Sequence, residues 1–273
     1  MPVRPTSPVP CTLITGASAG IGEALARCFA QAGHHLVLVA RSRDKLRKLA
    51  DELAQTHGII AMVCVADLSR NDAANRLLAT VKRRGFAVNV LVNNAGVLAL
   101  GSFTRLAPET HQGLIDLNIA GLTAMLSAFL PGMVDRAAQG MAGRVLNVAS
   151  IAAFQPVPAL ASYAASKAYV LSLSESLAEE LRGSGVTVTA LCPGITATDM
   201  LSGARDVSEQ VSRIPEFLVG DVADVARQGF EACMAGEAIC VPGVINRAAM
   251  LASRSTPKWL VRRVGGLLGR ASF

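Results

Sequence analysis

The sequence predicts an α/β protein in which a single doubly wound domain contains a mostly parallel, seven-stranded sheet with helices on both faces. Short runs rich in Val, Ile and Leu alternate with longer amphipathic stretches, which is the pattern of repeated β-α-β units. The chain has 273 residues, of which 51% are hydrophobic and 17% charged, so it can bury a large core within one domain.

The elements follow one another in a regular order. The predicted strands are CTLIT, HLVLVA, IIAMVCVA, VNVLVNN, RVLNVA, VTVTALC and AICVPG. Predicted helices begin at Gly20, Asp44 and Asn71, and two longer ones cover 114–133 and 159–182. The strands are almost entirely apolar, as expected of a parallel sheet that is covered on both faces.

The first ten residues differ from the body of the chain. The segment MPVRPTSPVP contains four prolines and no apolar core of a signal peptide, so we expect residues 1–10 to be a loose leader. The main domain is predicted over 11–245. No stretch approaches the roughly 20 consecutive apolar residues of a membrane span, and we expect a cytoplasmic location.

The six cysteines are scattered through the chain, and most lie in apolar runs. No Cys-x-x-Cys spacing occurs among them. This pattern indicates reduced core residues, and it predicts neither a disulfide framework nor a metal site.

The basic excess of the chain lies in a C-terminal extension over 246–273. This segment contains six Lys and Arg residues and no Asp or Glu, which accounts for the whole formal net charge of +6. As a helix, it would gather Leu260, Val264 and Leu267 on one side and the basic residues on the other. Its apolar side either packs on the protein or a partner subunit, or makes peripheral contact with an anionic membrane. Nucleic acid is not expected, because no aromatic platform accompanies the charge.

A glycine-rich turn, TGASAGIG over 15–22, joins the first predicted strand to the first helix. Gly16 permits a tight turn, Gly20 lets the backbone approach a pyrophosphate, and Gly22 allows close helix packing. The helix N-terminus offers free amides to an anion. The spacing differs from the common Gly-x-Gly-x-x-Gly, and a purely structural turn is the alternative. Its position after a strand predicts a Rossmann-type dinucleotide-binding domain.

Cofactor choice is predicted from the end of the second strand. No acidic residue stands there to accept the ribose 2′-hydroxyl of NAD, and Ala40 takes its place. Arg41 follows, and its planar guanidinium suits bidentate binding of a 2′-phosphate, with Arg43 as a second contact. The sequence therefore predicts NADP(H) in preference to NAD(H). The alternative is that Arg41 stacks on the adenine or faces solvent.

Four polar residues are candidates for catalysis. Tyr163 and Lys167 are one turn apart in a predicted helix, and a neighbouring ammonium lowers the pKa of a phenol. Ser150 ends a buried strand, where its hydroxyl can hold a carbonyl oxygen. Asn118 lies on the apolar side of a helix, where its amide needs a partner such as a water or a backbone group. Each has a purely structural alternative, but the combination indicates a carbonyl reductase.

Together these residues resemble the short-chain dehydrogenase/reductases over nearly the whole chain. The resemblance rests on the motifs TGASAGIG, NNAG, YAASK and PGITAT, in the order of that family, and on the four polar residues. It implies that Tyr163 is the general acid and that Lys167 lowers its pKa and holds the nicotinamide ribose. It also implies that Ser150 orients the carbonyl and that Asn118 anchors a water in a proton relay.

The resemblance extends to the cofactor contacts. It implies that Asp67 contacts the adenine, that residues 94–96 line the cofactor site and that residues 193–198 lie beside the nicotinamide carboxamide. The predicted cofactor-binding residues are Gly16, Ser18, Gly20, Ile21, Gly22, Arg41, Arg43, Asp67, Leu68, Asn94, Ala95, Gly96, Tyr163, Lys167, Pro193, Gly194 and Thr198.

The predicted reaction is hydride transfer between NADP(H) and a ketone or secondary alcohol, in either direction. The segments 154–160 and 200–219 show apolar side chains and no charged anchor pattern that can be assigned, which favours a lipophilic small molecule such as a 3-oxoacyl compound or another hydrophobic carbonyl. The resemblance implies a homodimer or homotetramer formed through the helices around Asn118 and Tyr163. A non-catalytic NADP-binding regulatory protein is the alternative function.

Overall fold

A computed structural model of the protein describes residues 8–197, 219–244 and 246–247. They form a seven-stranded sheet of order β3-β2-β1-β4-β5-β6-β7 in which every neighbouring pair is parallel. The strands are β1 Val9–Thr15, β2 Leu36–Ala40, β3 Ala61–Val65, β4 Phe86–Asn93, β5 Gly143–Val148, β6 Val186–Leu191 and β7 Ile239–Cys240. The predicted doubly wound fold is confirmed, and the sheet is wholly parallel.

Helices cover both faces of this sheet. In the described part of the chain they are α1 Gly20–Gln31, α2 Arg43–His57, α3 Ala73–Arg83, α4 Pro108–Ile115, α5 Leu122–Ala137, α6 Ala161–Glu180 and α7 Val222–Ala235. Apolar side chains of α1, α2 and α7 form the core on one face, and those of α3, α5 and α6 form the core on the other. The amphipathic stretches of the sequence thus bury their apolar sides against strands that are apolar on both sides.

Helices α4 and α5 are continuous through a π-helical segment, Asp116–Gly121. By length and composition, the run Pro108–Ala137 is the one helix in the described residues that could cross a membrane. From the sequence, no stretch was expected to approach a membrane span. The side chains of Leu122, Met125 and Phe129 are buried in the core of the sheet, so the run is part of the domain.

The ends of the described region bear on the predicted boundaries. Strand β1 begins at Val9, whose N–H donates to the Gly85 carbonyl at 2.8 Å, so the last two residues of the predicted leader lie in the sheet. Residues 1–7 and 248–273 lie outside the described ones, and with them nearly all of the basic extension. All six cysteines are free; five are buried and Cys28 is half-buried.

The order of the strands places a crevice at one edge of the sheet. Strands β1 and β4 are neighbours, and the chain moves outward from them in opposite directions on the two sides. In open parallel sheets a ligand binds outside the carboxyl ends of the strands at such a switch point. The glycine turn follows β1, and the NNAG motif starts at the last residue of β4, so both lie at this crevice.

Candidate active site

The turn between β1 and α1 requires glycine at three positions. Gly16 and Gly20 have φ angles of +66° and +57°, in the left-handed region that glycine tolerates. A Cβ atom on Gly16 would lie 2.7 Å from the Asn94 amide nitrogen, and one on Gly22 would collide with the same side chain and with the Gly16 carbonyl. Gly22 therefore makes room for the turn itself and for Asn94, besides the helix packing that the sequence suggested.

The first turn of α1 is open to an anion. The helix begins at Gly20 after Ala19, whose methyl group cannot accept a hydrogen bond from the first N–H groups. Such uncapped amides, at the positive end of the helix dipole, are a binding site for a phosphate group. Ser18 and Ile21 are half-buried beside them.

One threonine joins the glycine turn to the end of β4. The Thr15 hydroxyl donates to the Val92 carbonyl at 3.2 Å and accepts from the N–H groups of Asn94 and Ala95 at 2.9 and 3.0 Å. In return, the Asn94 amide donates to the carbonyls of Thr15 and Gly16 at 3.0 and 3.2 Å. These hydrogen bonds hold the two motifs together, and this role of Thr15 was not predicted from the sequence.

Charged residues follow β2 and β3 at the same edge of the sheet. Arg41 comes directly after β2, Arg43 begins α2, and both are exposed. Asp67 follows β3, where its carboxylate accepts hydrogen bonds from the Ser69 N–H at 3.2 Å and the Ser69 hydroxyl at 2.7 Å. These hydrogen bonds, followed by the charges of Arg41 and Arg70, lower the pKa of Asp67. Arg41 therefore lies close enough to Asp67 for its charge to be felt.

The π-helical segment carries Asn118 into the crevice. Asn118 is 2% exposed, and its amide pairs with both backbone groups of Val97: the oxygen accepts from the N–H and the nitrogen donates to the carbonyl, each at 2.9 Å. The expected partner of this amide is thus a backbone group. On the far side of the segment, a Cβ on Gly121 would lie 2.6 Å from the carbonyl of Leu68. The segment therefore packs against a predicted cofactor residue.

Helix α6 places Tyr163 and Lys167 one turn apart. The Lys167 ammonium is 5.7 Å from the centre of the Tyr163 ring and donates to the Val148 carbonyl at 2.8 Å. A Cβ on Gly96 would be 3.5 Å from this ammonium and 3.2 Å from the Asn118 amide oxygen. The ends of β4 and β5, the π-helical segment and α6 thus meet within a few ångströms.

The electrostatics of this cluster differ from the sequence expectation. Burial raises the pKa of Tyr163 above its usual value, and the neighbouring Ser150 side chain partly offsets the rise. The sequence led us to expect a net lowering of this pKa beside Lys167; the net shift is upward, because burial of the phenol is the largest cause. The Lys167 ammonium is directed to a backbone carbonyl, and burial lowers the pKa of Lys167 itself to about 8. At neutral pH the phenol is protonated and the lysine still carries its charge.

Ser150 and the PGITAT motif complete the crevice. Ser150 begins a 3-10 helix, Ile151–Phe154, and its hydroxyl accepts from the Ala152 N–H at 3.1 Å. The N–H of Ile151 donates to the Pro193 carbonyl at 2.9 Å, which brings the segment after β6 beside the serine. Gly194 lies against the side chain of Asn246. The predicted contact Thr198 lies outside the described residues, as does 200–218 of the predicted substrate segment.

The structure adds buried polar residues that the sequence analysis did not find. Ser166 donates to the Tyr163 carbonyl at 2.7 Å and accepts from the Asn118 amide at 3.2 Å, so it couples two of the four candidates. A second set is centred on Asn147, whose side-chain oxygen accepts from the Asn93 amide and whose side-chain nitrogen donates to the Ser174 hydroxyl, both at 2.9 Å. The signal in the sequence was weak: two asparagines at the ends of apolar strands and a serine in YAASK.

The residues present fit a nicotinamide dinucleotide. Side chains at Gly16 and Gly22 would fill the turn, and the open end of α1 offers N–H groups to a pyrophosphate. The cluster of Ser150, Tyr163 and Lys167 stands at the same edge of the sheet, where the other end of a dinucleotide would reach. Among the described residues, no group of three or more His, Cys, Asp or Glu side chains could hold a metal ion.

A Rossmann-type sheet with these groups at its switch point defines a dinucleotide-dependent oxidoreductase. A family model described as short chain dehydrogenase matches residues 10–209. The oxidoreductase UcpA of Salmonella typhimurium is 39% identical over 189 residues, covering 69% of this chain and 70% of that protein. The chain belongs to the short-chain dehydrogenase family.

Solved structures show the same fold with a bound nicotinamide cofactor. A short-chain dehydrogenase from Sphingobium yanoikuyae in complex with NADPH matches with a TM-score of 0.77 and 30% identity, over 92% of this chain and 97% of that one. A 3-ketoacyl-(acyl-carrier-protein) reductase from Brucella melitensis complexed with NADH matches with a TM-score of 0.74 and 28% identity, over 87% of this chain and 97% of that one. These similarities support a nicotinamide cofactor for this chain.

Proposed function

We propose that this protein reduces a lipophilic ketone with NADPH, or oxidises the corresponding secondary alcohol, with Tyr163 as the general acid or base. The observation that carries the proposal is the convergence of Asn118, Ser150, Tyr163 and Lys167 at the switch point, beside a glycine turn that suits a dinucleotide. The reaction class agrees with the oxidoreductases that this chain resembles.

The roles follow from the geometry and charge of each group. The nicotinamide, when bound, supplies or accepts the hydride. Ser150 holds the carbonyl oxygen near the Tyr163 hydroxyl, whose raised pKa keeps it protonated at neutral pH and ready to protonate the developing alkoxide. Lys167, still charged at neutral pH, stabilises the phenolate that remains. Asn118 fixes the backbone at Val97 and thereby the wall of the site.

The two tyrosines of the chain allow a matched test of the reaction. Purified protein is assayed for NADPH oxidation with a panel of ketones, 3-oxoacyl esters and aldehydes. We expect Tyr163→Phe to lower kcat by at least about 100-fold with little change in NADPH affinity, because a general acid contributes on that scale. Tyr169 lies six residues after Tyr163 in α6, and its hydroxyl is hydrogen-bonded to the Thr123 hydroxyl at 2.8 Å, so Tyr169→Phe is the control. Full activity in Tyr163→Phe, or no turnover of any carbonyl, contradicts the proposal.

The preference for NADPH over NADH rests on Arg41. Its guanidinium is exposed directly after β2, no carboxylate stands at Ala40, and one similar structure holds NADPH while another holds NADH. We expect Arg41→Ala to raise the KM for NADPH about tenfold or more, because a charge-assisted bidentate contact is lost, and to leave the KM for NADH within about twofold. Arg47→Ala, an exposed arginine of α2, is the control. Equal effects on both cofactors would refute the assignment.

A lipophilic substrate is supported by the apolar surroundings of the cluster. Phe103 is 60% exposed on the loop after β4, and residues 154–160 are mostly apolar. The similar Brucella melitensis protein is a 3-ketoacyl reductase, which makes a 3-oxoacyl compound the first candidate to test. A charged or sugar-like carbonyl as the best substrate of the panel would argue against this part of the proposal.

Assembly and location are proposed on separate grounds. An apolar groove of about 500 Å³ between α5 and α6, lined by Leu126, Leu130, Val134, Leu173 and Leu177 among others, suits a homodimer or homotetramer. Light scattering after gel filtration tests this, and a monomer would refute it. We also propose a cytoplasmic location, a leader that ends where β1 begins at Val9, and a basic extension over 246–273. Liposome binding with and without the residues after Pro257 tests peripheral membrane contact.

A further inference from the structure

Two loops meet at the start of α6, the helix that carries Tyr163. The β4–α4 loop, residues 97–107, carries Phe103 at its exposed tip, and the pre-α6 loop, residues 155–160, ends three residues before Tyr163. Contacts that fix these loops relative to each other therefore also fix the surroundings of the helix end that carries Tyr163.

The structure ties the two sides together at two points. The Gly101 N–H donates to the Ala159 carbonyl at 2.9 Å, which joins the loops directly. The second tie is the ring of His111 in α4: its Nε2 is 3.1 Å from the Phe103 carbonyl oxygen and its Nδ1 is 2.8 Å from the Ser162 hydroxyl. The ring also packs on the Phe103 ring, with 4.3 Å between centroids.

The chemistry of these contacts assigns the donor and the acceptor. A carbonyl oxygen only accepts, so Nε2 of His111 carries the proton and donates to Phe103. In the neutral ring Nδ1 then accepts, and the Ser162 hydroxyl donates to it. Each ring nitrogen thus has one partner, one on the β4–α4 loop and one on the residue next to Tyr163.

The other tie holds a strained residue. Ala159 has a φ angle of +64°, a left-handed conformation that costs a non-glycine residue free energy of about 1 kcal/mol. Such a conformation persists only where surrounding contacts hold it, and such residues cluster at functional sites. The hydrogen bond from Gly101 to the carbonyl of Ala159 is one of those contacts.

We propose that His111 is a positioning residue which, with the Gly101–Ala159 hydrogen bond, clasps the β4–α4 loop to the start of α6 and so sets which carbonyl compounds reach Tyr163. The proposal rests on the proposed reductase function. His111 acts through Phe103 and Ser162 and not on the reacting atoms. Its loss should therefore change substrate selection and KM, and leave the chemical step nearly intact.

The test compares His111→Ala, Ser162→Ala, His111→Asn and His111→Gln, with two probe ketones, cyclohexanone and the larger 2-tetralone. We expect His111→Ala to raise the KM for cyclohexanone about five- to tenfold, the effect of one or two lost hydrogen bonds, with kcat within about twofold. The preference between the two ketones should shift at least about threefold. Asn keeps an acceptor near the Nδ1 position and Gln a donor near the Nε2 position, so each should restore part of the KM.

Controls separate the clasp from general damage and from the reductase proposal. His57→Ala, an exposed histidine at the end of α2, should change nothing. The double variant of His111 and Ser162 should be no worse than His111→Ala, because both remove the same tie. Hydrogen–deuterium exchange of peptides covering 97–107 should be faster in His111→Ala than in the wild type, whether or not the protein turns over a ketone.

The outcomes are distinct. Unchanged exchange over 97–107 in His111→Ala overturns the clasp. If the wild type reduces neither ketone, the reductase proposal fails on this panel, and the exchange experiment alone decides the clasp. A large fall in kcat with an unchanged KM and an unchanged ketone preference also overturns it, because His111 would then act on the chemistry.

Discussion

Replacing Lys167 with Met should stabilise the folded protein while it removes activity. Lys167 is 6% exposed, and burial lowers its pKa from 10.5 to about 8, so at pH 7 the fold holds a charge in an unfavourable place. One pKa unit corresponds to about 1.4 kcal/mol, and a shift of this size therefore costs about 3 kcal/mol at pH 7. The hydrogen bond to Val148 returns about 1 kcal/mol, which leaves an expected gain of about 2 kcal/mol in the free energy of unfolding.

The pH dependence of the free energy of unfolding shows whether the buried charge of Lys167 causes the difference between the two proteins. Because the folded pKa lies below the unfolded one, the native state binds fewer protons than the unfolded chain between about pH 8 and pH 10.5, and the wild type gains stability over that range. The Met variant lacks this gain, so its advantage at pH 7 should vanish near pH 10. Urea unfolding of the cofactor-free protein at both pH values, at one protein concentration, measures it.

A Lys→Met substitution at an exposed position controls for effects that do not depend on burial of the charge. Lys45 lies exposed on α2, and Lys45→Met should leave the free energy of unfolding within about 0.5 kcal/mol at both pH values, as is usual for surface substitutions. The reasoning is refuted if Lys167→Met is less stable than the wild type at pH 7. It is also refuted if the two differ by the same amount at pH 7 and pH 10, since packing and not charge would then be the cause.

Two further outcomes are expected. Gly22→Ala should weaken NADPH binding at least about tenfold in calorimetry, because the new Cβ collides with the Asn94 side chain and the turn must move. Gly113→Ala is the control, since a Cβ there meets nothing within 4 Å. An NADPH affinity of Gly22→Ala equal to that of the wild type would contradict this prediction. Asn118→Ala should lower the free energy of unfolding by about 2–4 kcal/mol, since both backbone groups of Val97 lose their partner. Exposed Asn71→Ala should not, and equal unfolding midpoints would show that Val97 finds other partners.

The strands and the order of the motifs could be predicted because they depend on local sequence. A run such as VNVLVNN is apolar on both faces and ends at polar residues, so both the buried strand β4 and the crevice at its end follow from the pattern. The glycine turn after β1 was predictable for the same reason, since its position between a strand and a helix is visible in the sequence.

The parts that the sequence analysis missed depend on long-range approach or on burial. Ser166 and Asn118 are 48 positions apart in the sequence, and His111 and Ser162 are 51 apart. The local sequence around each residue does not indicate which distant residue it contacts. The pKa of Tyr163 was expected to fall because Lys167 is near. It rises because desolvation of the buried phenol outweighs its neighbours, and the extent of burial is a property of the fold.

The π-helical segment Asp116–Gly121 fixes the rotational phase of the long helix that contains it. An α-helix turns by about 100° per residue, and a π turn holds about one residue more than an α turn. Everything after the segment is therefore rotated by about that angle from where an unbroken α-helix would place it. With this rotation Asn118 reaches Val97 while Met125 and Phe129 face the sheet. The extra residue is thus what brings Asn118 to Val97: deleting one residue within the segment would let an ordinary α turn replace the π turn, and Met125 and Phe129 would still face the sheet.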